Sequence, residues 1–318
     1  LRGCFKALSS NKQLRLLLVG DRKKITPHIE KNRRKGRRIT IIHTEQVIGM
    51  DEEPARACLA KPEASVILAA RAVREGQAVG FYSPGNTGAA VAASVLQIGL
   101  LPGLKRPVIA APLPALKGSV LLLDVGACVD IKPDFYPHLA RLGSIFMERM
   151  YGITSPRVAL LNMGTEAKKG PQAIRKAHKL LAAACPGFIG NIEGMEIPAR
   201  RADVVVCDGF VGNIVLKLSE GFGSQLVKII KHRMKERRKA DIPDAEVLET
   251  GFFQRRMRQL MDSERYGGAP LLGIDGLVLI GHGKSKSEAV CNGIRAGIRY
   301  HKAGLVPALR QVYNTPEN

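Results

Sequence analysis

The sequence contains no tryptophan, and aromatic residues make up only 5% of its 318 positions. Proteins that bind single-stranded nucleic acid stack bases on aromatic side chains, so this composition does not favour that class. No apolar run reaches the roughly 20 residues that a transmembrane helix needs, and the first residues do not form a signal peptide. With 45% hydrophobic residues the chain can bury a large core, so we expect a globular protein.

The cysteines form no pattern that binds a metal. There is no Cys-x-x-Cys pair and no histidine at metal-ligand spacing among the six cysteines, which are residues 4, 58, 128, 185, 207 and 291. Their dispersal favours the reducing cytoplasm. Cys128 and Cys207 end apolar runs, where a cysteine usually serves as a small buried hydrophobe, so we assign neither a catalytic role. We expect no metal and no cofactor.

The common catalytic and nucleotide-binding motifs are also missing. The sequence has no GxGxxG followed by an acid, no GxxxxGK[ST], no GxSxG and no HExxH. The stretch "GHGKS", residues 281–285, has the Lys-Ser end of a P-loop without its spacing. The usual nicotinamide site is therefore not supported, and no protein nucleophile stands out.

Positive charge is abundant and unevenly distributed. The formal net charge is +21, from 49 basic and 28 acidic residues. Residues 21–38 hold nine Lys or Arg against two acids, and residues 228–239 hold seven against one. The summed field attracts an acidic partner, and nucleic acid, anionic lipid and an acidic carrier protein all remain candidates.

Apolar strand patterns alternate with helical patterns along most of the chain. Short apolar strands separated by helices predict an α/β protein with a mainly parallel sheet covered on both faces. The predicted strands are Leu14–Val19, Ile39–His43, Ala78–Tyr82, Val108–Ala111, Leu121–Val125, Val158–Asn162, Val204–Cys207 and Leu277–Ile280. The predicted helices are Ala64–Glu75, Thr87–Leu100, Pro133–Tyr151, Pro171–Ala184 and Ser285–His301.

Residues 221–266 break this alternation. They contain no strand pattern, and two helical stretches there combine apolar positions with basic faces. We predict a helical hairpin that projects from an α/β core formed by residues 1–220 and 267–318. Subunit packing and contact with an anionic membrane surface are both open as its role.

Four predicted strands end in turns rich in Gly, Asn, Thr and Ser. These turns are Ser83–Ala90, Asn162–Gly170, Cys207–Asn213 and Gly281–Ser287. Free backbone N–H groups backed by a helix dipole bind phosphate or carboxylate. Ligands collect at the carboxyl ends of strands in an open α/β sheet, so we expect all four turns on one edge. Anion cradles without a protein nucleophile suit a reaction in which the bound anion itself attacks.

Several long motifs, in order, resemble the bacterial phosphate acyltransferase (PlsX) family. They include "SPGNTGA", "LLLDVGACVDIKP", "GITSPRVALLNMGTEAKKG", "DVVVCDGFVGN" and "YGGAPLLGIDGLVLIGHGKS", and the likeness runs from about Leu14 to Tyr300. The family converts acyl-acyl carrier protein and inorganic phosphate to acyl phosphate and free carrier protein, at the start of phospholipid synthesis. The resemblance implies a three-layer α/β/α sandwich, isocitrate dehydrogenase-like and phosphotransacetylase-like.

The resemblance also implies the protein's surroundings. Family members are cytoplasmic, usually homodimeric and peripherally associated with the membrane, where an acyltransferase uses the acyl phosphate. The basic surface then steers the acidic acyl carrier protein, and no nucleic-acid partner is expected. The hairpin of residues 221–266 lies where the family carries its dimer and membrane-contact helices.

The matching motifs imply site residues for an attack by phosphate on a thioester carbonyl. Lys169 more than Lys168, together with Asn213, would hold phosphate or stabilise the developing oxyanion, and His282 would protonate the leaving sulfur. Asp124 and Asp208 would orient the turns. The other predicted phosphate- or substrate-binding positions are Asn86, Thr87, Gly88, Gly164, Thr165, Gly212 and Gly283.

The sequence departs from the family pattern near this predicted pocket. The family opens with a short strand and a Gly-Gly-Asp-His turn, and no residues here match them. Cys128, Pro84 and Lys284 replace the usual Asn, Ala and small polar residue. Two other functions remain open. A decarboxylating dehydrogenase of related fold would need an aspartate cluster for a metal, and a basic non-enzymatic protein would bind nucleic acid or membrane.

Overall fold

The computed structural model describes residues 1–116, 118–239, 267–283 and 285–314. Helices and strands alternate over most of this part of the chain. The strands are β1 (Leu16–Gly20), β2 (Ile39–His43), β3 (Gly80–Ser83), β4 (Val108–Pro114), β5 (Ser119–Leu123), β6 (Val158–Leu161), β7 (Phe188–Ile192), β8 (Val204–Val206), β9 (Ala269–Leu272) and β10 (Leu277–Ile280).

The described helices lie between these strands and at the two ends of the chain. They are α1 (Arg2–Ser10), α2 (Arg22–Glu30), α3 (Arg33–Gly36), α4 (Pro54–Ala60), α5 (Ser65–Arg74), α6 (Thr87–Gln97), α7 (Tyr136–Tyr151), α8 (Gln172–Ala184), α9 (Gly209–Lys239), α10 (Ser287–Lys302) and α11 (Leu305–Asn314). Short 3-10 turns cover Pro133–Phe135 and Gly194–Glu196.

Eight strands form the central sheet in the order β3-β10-β9-β4-β5-β8-β6-β7, and β1 and β2 form a separate parallel pair. Strands β5, β8, β6 and β7 are mutually parallel, as are β3 and β10. Strand β9 is antiparallel to β10 and β4, and β4 is antiparallel to β5. It follows that β3, β4 and β10 run in one direction and the other five strands run in the opposite direction.

Helices cover both faces of the sheet, which makes three layers. Alternate residues of a strand point to opposite faces, and in β5 Leu121 and Leu123 join one core while Val120 and Leu122 join the other. Residues of α7, α8, α10 and α11 fill the first core. Residues of α4, α5 and α6 fill the second. The predicted α/β/α sandwich with a mainly parallel sheet is confirmed.

The eight predicted strands and five predicted helices all form, with ends shifted by a few residues. Two strands were missed. Strand β7 contains Gly190 and Asn191, residues that are typical of turns, and its sequence was therefore not recognised as a strand. In the structure Gly190 has φ +99°, and the pairing of β7 with β6 shifts in register. In β9, only four residues pair and one of them is Pro270, so its signal is weak.

Helix α9 crosses the predicted boundary at residues 220 and 221 without interruption. Residues 240–266, which hold the rest of the predicted hairpin, lie outside the described residues, so the hairpin stays a prediction. Within the described ranges, no helix is long and apolar enough to span a membrane.

Candidate active site

The four polar turns form two pairs at opposite edges of the sheet. The turns after β6 and β8 lie at one edge, because these strands are parallel neighbours. The turns after β3 and β10 lie at the other edge, because those strands run in the opposite direction. The expectation that all four share one edge was therefore wrong. The reversal comes from the antiparallel pairing of β4 with β5 and with β9.

At the first edge, the segment after β5 packs on the start of α9. We call residues 124–128 and 207–213 the α9 junction. The buried Asp124 carboxylate accepts four backbone N–H bonds, from Ile109 (2.9 Å), Gly126 (3.2 Å), Ala127 (3.1 Å) and Cys128 (2.6 Å). Burial raises the pKa of this carboxyl, and the four donors act in the opposite direction. Asp124 thus holds its own loop in shape, consistent with the predicted orienting role.

Asp208 caps α9 and occupies its first backbone donors. The Asp208 carboxylate accepts the N–H of Val211 at 2.9 Å, and its carbonyl accepts the N–H of Gly212 at 2.9 Å. The N–H of Gly209 donates to the carbonyl of Cys128 at 2.9 Å. These three donors, which the sequence predicted to be free, bond within the chain.

Asn213 lies one residue beyond these bonded donors. The Cβ and Cγ atoms of its side chain lie 3.7 Å from the position that a Cβ atom on Gly126 would take. The half-buried Asn213 amide therefore lies against the Asp124 loop, at the carboxyl edge of β5 and β8. The group at this junction that can bind a ligand is therefore the Asn213 side chain, and not the backbone N–H groups of residues 209, 211 and 212.

The second turn at this edge is the lysine loop, residues 162–170. The Asn162 side chain accepts the N–H of Met163 at 2.8 Å and donates to the carbonyl of Lys169 at 3.1 Å. The stem of Lys169 folds back, with its Cγ 3.2 Å from where a Gly164 Cβ would lie, and its Nζ is 3.9 Å from Glu166. Lys168 and Thr165 are exposed. The loop thus fixes the Lys169 stem while its ammonium group remains at the surface.

At the opposite edge, Asn86 begins α6. Its side-chain oxygen accepts the N–H of Ala89 at 3.0 Å, and its amide donates to the carbonyl of Gly49 at 3.0 Å. Gly88 closes against Pro54, whose Cγ lies 2.5 Å from where a Gly88 Cβ would be. Thr87 is exposed. Asn86 is therefore a helix cap that also ties this turn to the segment before α4.

His282 and Gly283 follow β10 beside the same turn. The Met50 methyl group lies 3.5 Å from where a Gly283 Cβ would be, and the carbonyl oxygen of Pro84 lies 3.9 Å from the same point. The N–H of Ser285 donates to the His282 carbonyl at 2.8 Å. The turns after β3 and β10 therefore form one surface with His282 on it.

Helix α9 carries a half-buried carboxylate beyond Asn213. Glu220 is half-buried on its inward face, seven residues and about 10 Å along the axis from Asn213. Burial raises the pKa of the Glu220 carboxyl, while the nearby positive charges of His282 and Lys217 act in the opposite direction. The electrostatic interaction between Glu220 and His282 links α9 to the turn after β10.

The two cysteines at the α9 junction are poor nucleophiles. Burial raises the pKa of the Cys207 thiol well above its usual range, and the charges of Asp208 and Asp124 raise it further. Burial also raises the pKa of Cys128. Both thiols are therefore protonated at neutral pH. Across the described ranges, no three His, Cys, Asp or Glu side chains are grouped as metal ligands.

Sequence reasoning missed three residues of this region. Asn191 donates to the carbonyl of Glu166 at 2.9 Å and pairs with His178 at 2.9 Å, which anchors the lysine loop to β7. Asn162 orders that loop from within, and Glu220 on α9 interacts electrostatically with His282. Asn162 stands inside one of the family motifs, so its position was visible. Glu220 sits in a helical stretch whose inward face shows only in three dimensions.

Comparison with known proteins places these motifs in a family. A family model described as "Fatty acid synthesis protein" matches residues 1–307. A phosphate acyltransferase of Heliobacterium modesticaldum is 43% identical over 299 residues, covering 94% of this chain and 88% of that protein. A phosphate acyltransferase of Moorella thermoacetica is 42% identical over 294 residues, covering 92% and 86%.

Two solved structures share this fold at low sequence identity. The EutD phosphotransacetylase of Staphylococcus aureus superimposes with a TM-score of 0.56 at 14% identity, over 95% of this chain and 92% of that one. A phosphotransacetylase of Streptococcus pyogenes gives 0.52 at 14% identity, over 98% and 99%. At this identity the likeness supports the fold alone, and the predicted phosphotransacetylase-like architecture is confirmed.

Proposed function

The chain belongs to the fatty acid synthesis protein family, an acyltransferase family whose relatives are phosphate acyltransferases, and from this premise we propose its substrates and site. The acyl donor is an acyl-[acyl carrier protein], and the acceptor is inorganic phosphate. The products are an acyl phosphate and the free carrier protein, and a membrane acyltransferase consumes the acyl phosphate in phospholipid synthesis.

The observation that carries the site proposal is the position of Asn213. Its amide follows a capped helix start and lies against a loop that the buried Asp124 holds rigid. A donor on a packed helix start needs less reorganisation than a solvent-exposed one when an oxyanion develops, which is the basis of electrostatic stabilisation. Asn213 therefore donates to phosphate or to the thioester oxygen, and Asp124, Asp208 and Gly212 keep it in place.

The reaction begins when a phosphate oxygen attacks the thioester carbonyl carbon. Lys169 holds the phosphate, and Lys168 adds positive charge at the same loop. The tetrahedral intermediate collapses as its C–S bond breaks, and the carrier thiolate takes a proton from water, because His282 lies at the opposite edge of the sheet from Lys169. The other predicted binding positions divide between the two edges of the sheet. Gly164 and Thr165 lie in the lysine loop and would contact the phosphate there, whereas Asn86, Thr87, Gly88 and Gly283 lie beside His282 and could contact only a more distant part of the substrate.

The charge distribution supports an acidic protein partner. Helices α2 and α3 carry six Lys or Arg residues and contain one acid, Glu30, and no residue of α2 is buried. Acyl carrier proteins are acidic, so this surface would speed their encounter with the enzyme by electrostatic steering. Raising the salt concentration is then expected to lower kcat/KM for the carrier-bound substrate more than for a small acyl thioester.

An apolar stripe along α9 supports a homodimer. Its six exposed side chains recur every three or four residues, and they are Val211, Ile214, Leu218, Phe222, Leu226 and Ile229. This stripe lies opposite the inward face that holds Glu220, and its side chains are exposed among the described residues of the chain. A second copy that lays its own α9 on the stripe would bury it. The basic residues 228–239 further along support contact with an anionic membrane surface.

The dimer is tested by charging the stripe. Leu218→Glu with Phe222→Glu is expected to shift the mass in sedimentation equilibrium from dimer to monomer. Ser224→Glu, exposed on the same helix but off the stripe, is the matched control and should leave the mass unchanged. A wild-type monomer would contradict the proposal.

The reaction is tested with purified acyl-acyl carrier protein. Loss of the thioester is expected to require added phosphate, to yield an acyl phosphate that hydroxylamine traps, and to survive a chelator. Sulfate in place of phosphate is the control for ionic strength. Thioester loss without phosphate, or activity abolished by the chelator, would refute the proposed reaction.

A further inference from the structure

Two methionines at the lysine-loop edge are unusually exposed. Met163 is 75% exposed and Met195 is 79% exposed, whereas Met147 in α7 is buried. Met163 lies in the lysine loop after β6, and Met195 lies in the 3-10 turn after β7. Because β6 and β7 are parallel neighbours, the two side chains project from adjacent loops at one edge of the sheet.

Hydrogen bonds hold these two loops together. The N–H of Asn162 donates to the carbonyl of Ile192 at 2.9 Å, and the Asn191 amide donates to the carbonyl of Glu166 at 2.9 Å. The turn that carries Met195 is closed by a reciprocal pair of bonds between Glu193 and Glu196. Thus the loops are ordered although the two methionine side chains are exposed.

The methionines lie next to the cation of the proposed phosphate site. Met163 directly precedes Gly164, and the Cγ of Lys169 lies 3.2 Å from where a Cβ atom on Gly164 would be. The lysine loop therefore carries an apolar side chain, Met163, and a positively charged one, Lys169, that both lie close to Gly164. An acyl thioester and an acyl phosphate have the matching chemistry, because each joins a flexible apolar chain to a polar reacting end.

We propose that Met163 and Met195 form the seat on which the acyl chain of the substrate lies. The assignment rests on the proposed function, which places phosphate at Lys169. A flexible, polarisable thioether adapts to a chain of variable length better than a rigid ring, which is why methionine recurs at surfaces that bind varied apolar ligands. The seat acts on affinity for the chain and leaves the chemistry at the thioester to Lys169 and Asn213.

The test is the dependence of kcat/KM on acyl-chain length. Acyl-acyl carrier proteins with straight chains of four to fourteen carbons are compared in wild type and in Met163→Gln with Met195→Gln, a change that keeps length and removes apolarity. Each methylene buried on the seat is expected to raise wild-type kcat/KM roughly twofold to fourfold, the upper figure corresponding to complete burial. The double variant should lose at least about tenfold with the longest chain and less than about twofold with the shortest.

A matched control separates the seat from general surface apolarity. Val79→Thr removes part of an apolar side chain that is 66% exposed just before β3, the strand at the far end of the sheet from β7. It should leave the whole chain-length series unchanged. Equal losses at every chain length in the double variant, or no loss at any length, would overturn the proposal. A changed oligomeric mass in that variant would also overturn it, because the second copy would then be what covers this face.

A binding measurement keeps the seat testable if the proposed reaction fails. Enzyme with 13C-labelled methionine methyl groups is titrated with dodecanoyl phosphate and, as the control, with acetyl phosphate. We expect the Met163 and Met195 signals to shift with the long chain alone. If wild type shows no phosphate-dependent turnover but these shifts occur, the function is refuted and the seat stands. If turnover occurs and the shifts are absent, the seat is refuted and the function stands.

Discussion

The carbonyl oxygen of Asp124 lies where a Cβ atom on Gly212 would have to be. The Sγ atom of Cys207 is 3.0 Å from the same position. Gly212, the second glycine of the "CDGFVGN" stretch, is therefore required for close packing. Because it has no side chain, α9 can approach the backbone of the Asp124 loop. This approach places Asn213, the next residue, against Gly126.

Gly212→Ala is expected to destabilise the protein and to misplace Asn213. The added methyl group clashes with backbone, which cannot rotate away as a flexible side chain can, so we expect a loss of about 2–3 kcal/mol in unfolding free energy. Gly221→Ala on the same helix is the control, since nothing lies within 4 Å of its Cβ position. It should stabilise by about 0.5–1 kcal/mol through helix propensity. Equal effects in urea unfolding would contradict the packing argument.

Asn213→Ala is expected to lower kcat/KM for phosphate by at least about tenfold. The variant removes one preorganised donor, and such donors stabilise the transition state more than the ground state. The melting temperature should remain close to that of the wild type, because the capping bonds of α9 come from Asp208 and Cys128. An unchanged kcat/KM in the folded variant would show that Asn213 does not bind the phosphate or the oxyanion.

Lys169→Ala is expected to weaken phosphate use more than Lys168→Ala does. The Lys169 stem packs on Gly164 and its backbone carbonyl bonds to Asn162, so its position is fixed on both sides. We expect at least a tenfold loss in kcat/KM for phosphate at Lys169, on the order of one lost transition-state contact. Lys168 contributes to the local charge, so its loss should be smaller and should shrink further at high salt. The reverse order would assign the phosphate contact to Lys168.

The strands were predictable from sequence because each is a short apolar run bounded by polar residues. Val204–Val206 is buried throughout and was found from its apolarity alone. The pairing direction was not predictable in the same way. A hairpin between Pro114 and Ser119, with Gly118 at φ +80°, reverses the chain before β5. That reversal sends the turns after β6 and β8 to the edge opposite those after β3 and β10, although all four look alike in sequence.

The candidate site was partly predictable for the same reason. Asn213 and Lys169 lie in motifs of glycine and polar residues, and such motifs predict a turn. The first backbone N–H groups of α9 donate to Asp208 and Cys128. The bond to Cys128 depends on how the Asp124 loop folds back, which cannot be predicted from a local sequence pattern. The burial of Glu220 could not be predicted, because the sequence does not show which face of α9 packs against the sheet.

Glu220→Gln is expected to change the pH dependence of stability. Burial raises the pKa of this carboxyl in the folded state, against the charges of His282 and Lys217. A carboxyl with a raised folded pKa binds its proton more tightly when folded. The unfolding free energy of wild type therefore falls as the pH rises from the unfolded value, about 4.3 for glutamate, through the folded value. Glutamine does not titrate, so the variant lacks this fall.

The measurement is urea unfolding between pH 4 and pH 8. The stability of Glu220→Gln relative to wild type should increase with pH across that window and then level off above the folded pKa. Gly221→Ala, which lies next to Glu220 and changes no titratable group, is the matched control and should differ from wild type by the same amount at every pH. A difference between Glu220→Gln and wild type that is constant with pH would mean that the Glu220 carboxyl has the same pKa in the folded and unfolded states, and the argument that burial on α9 raises this pKa would be refuted.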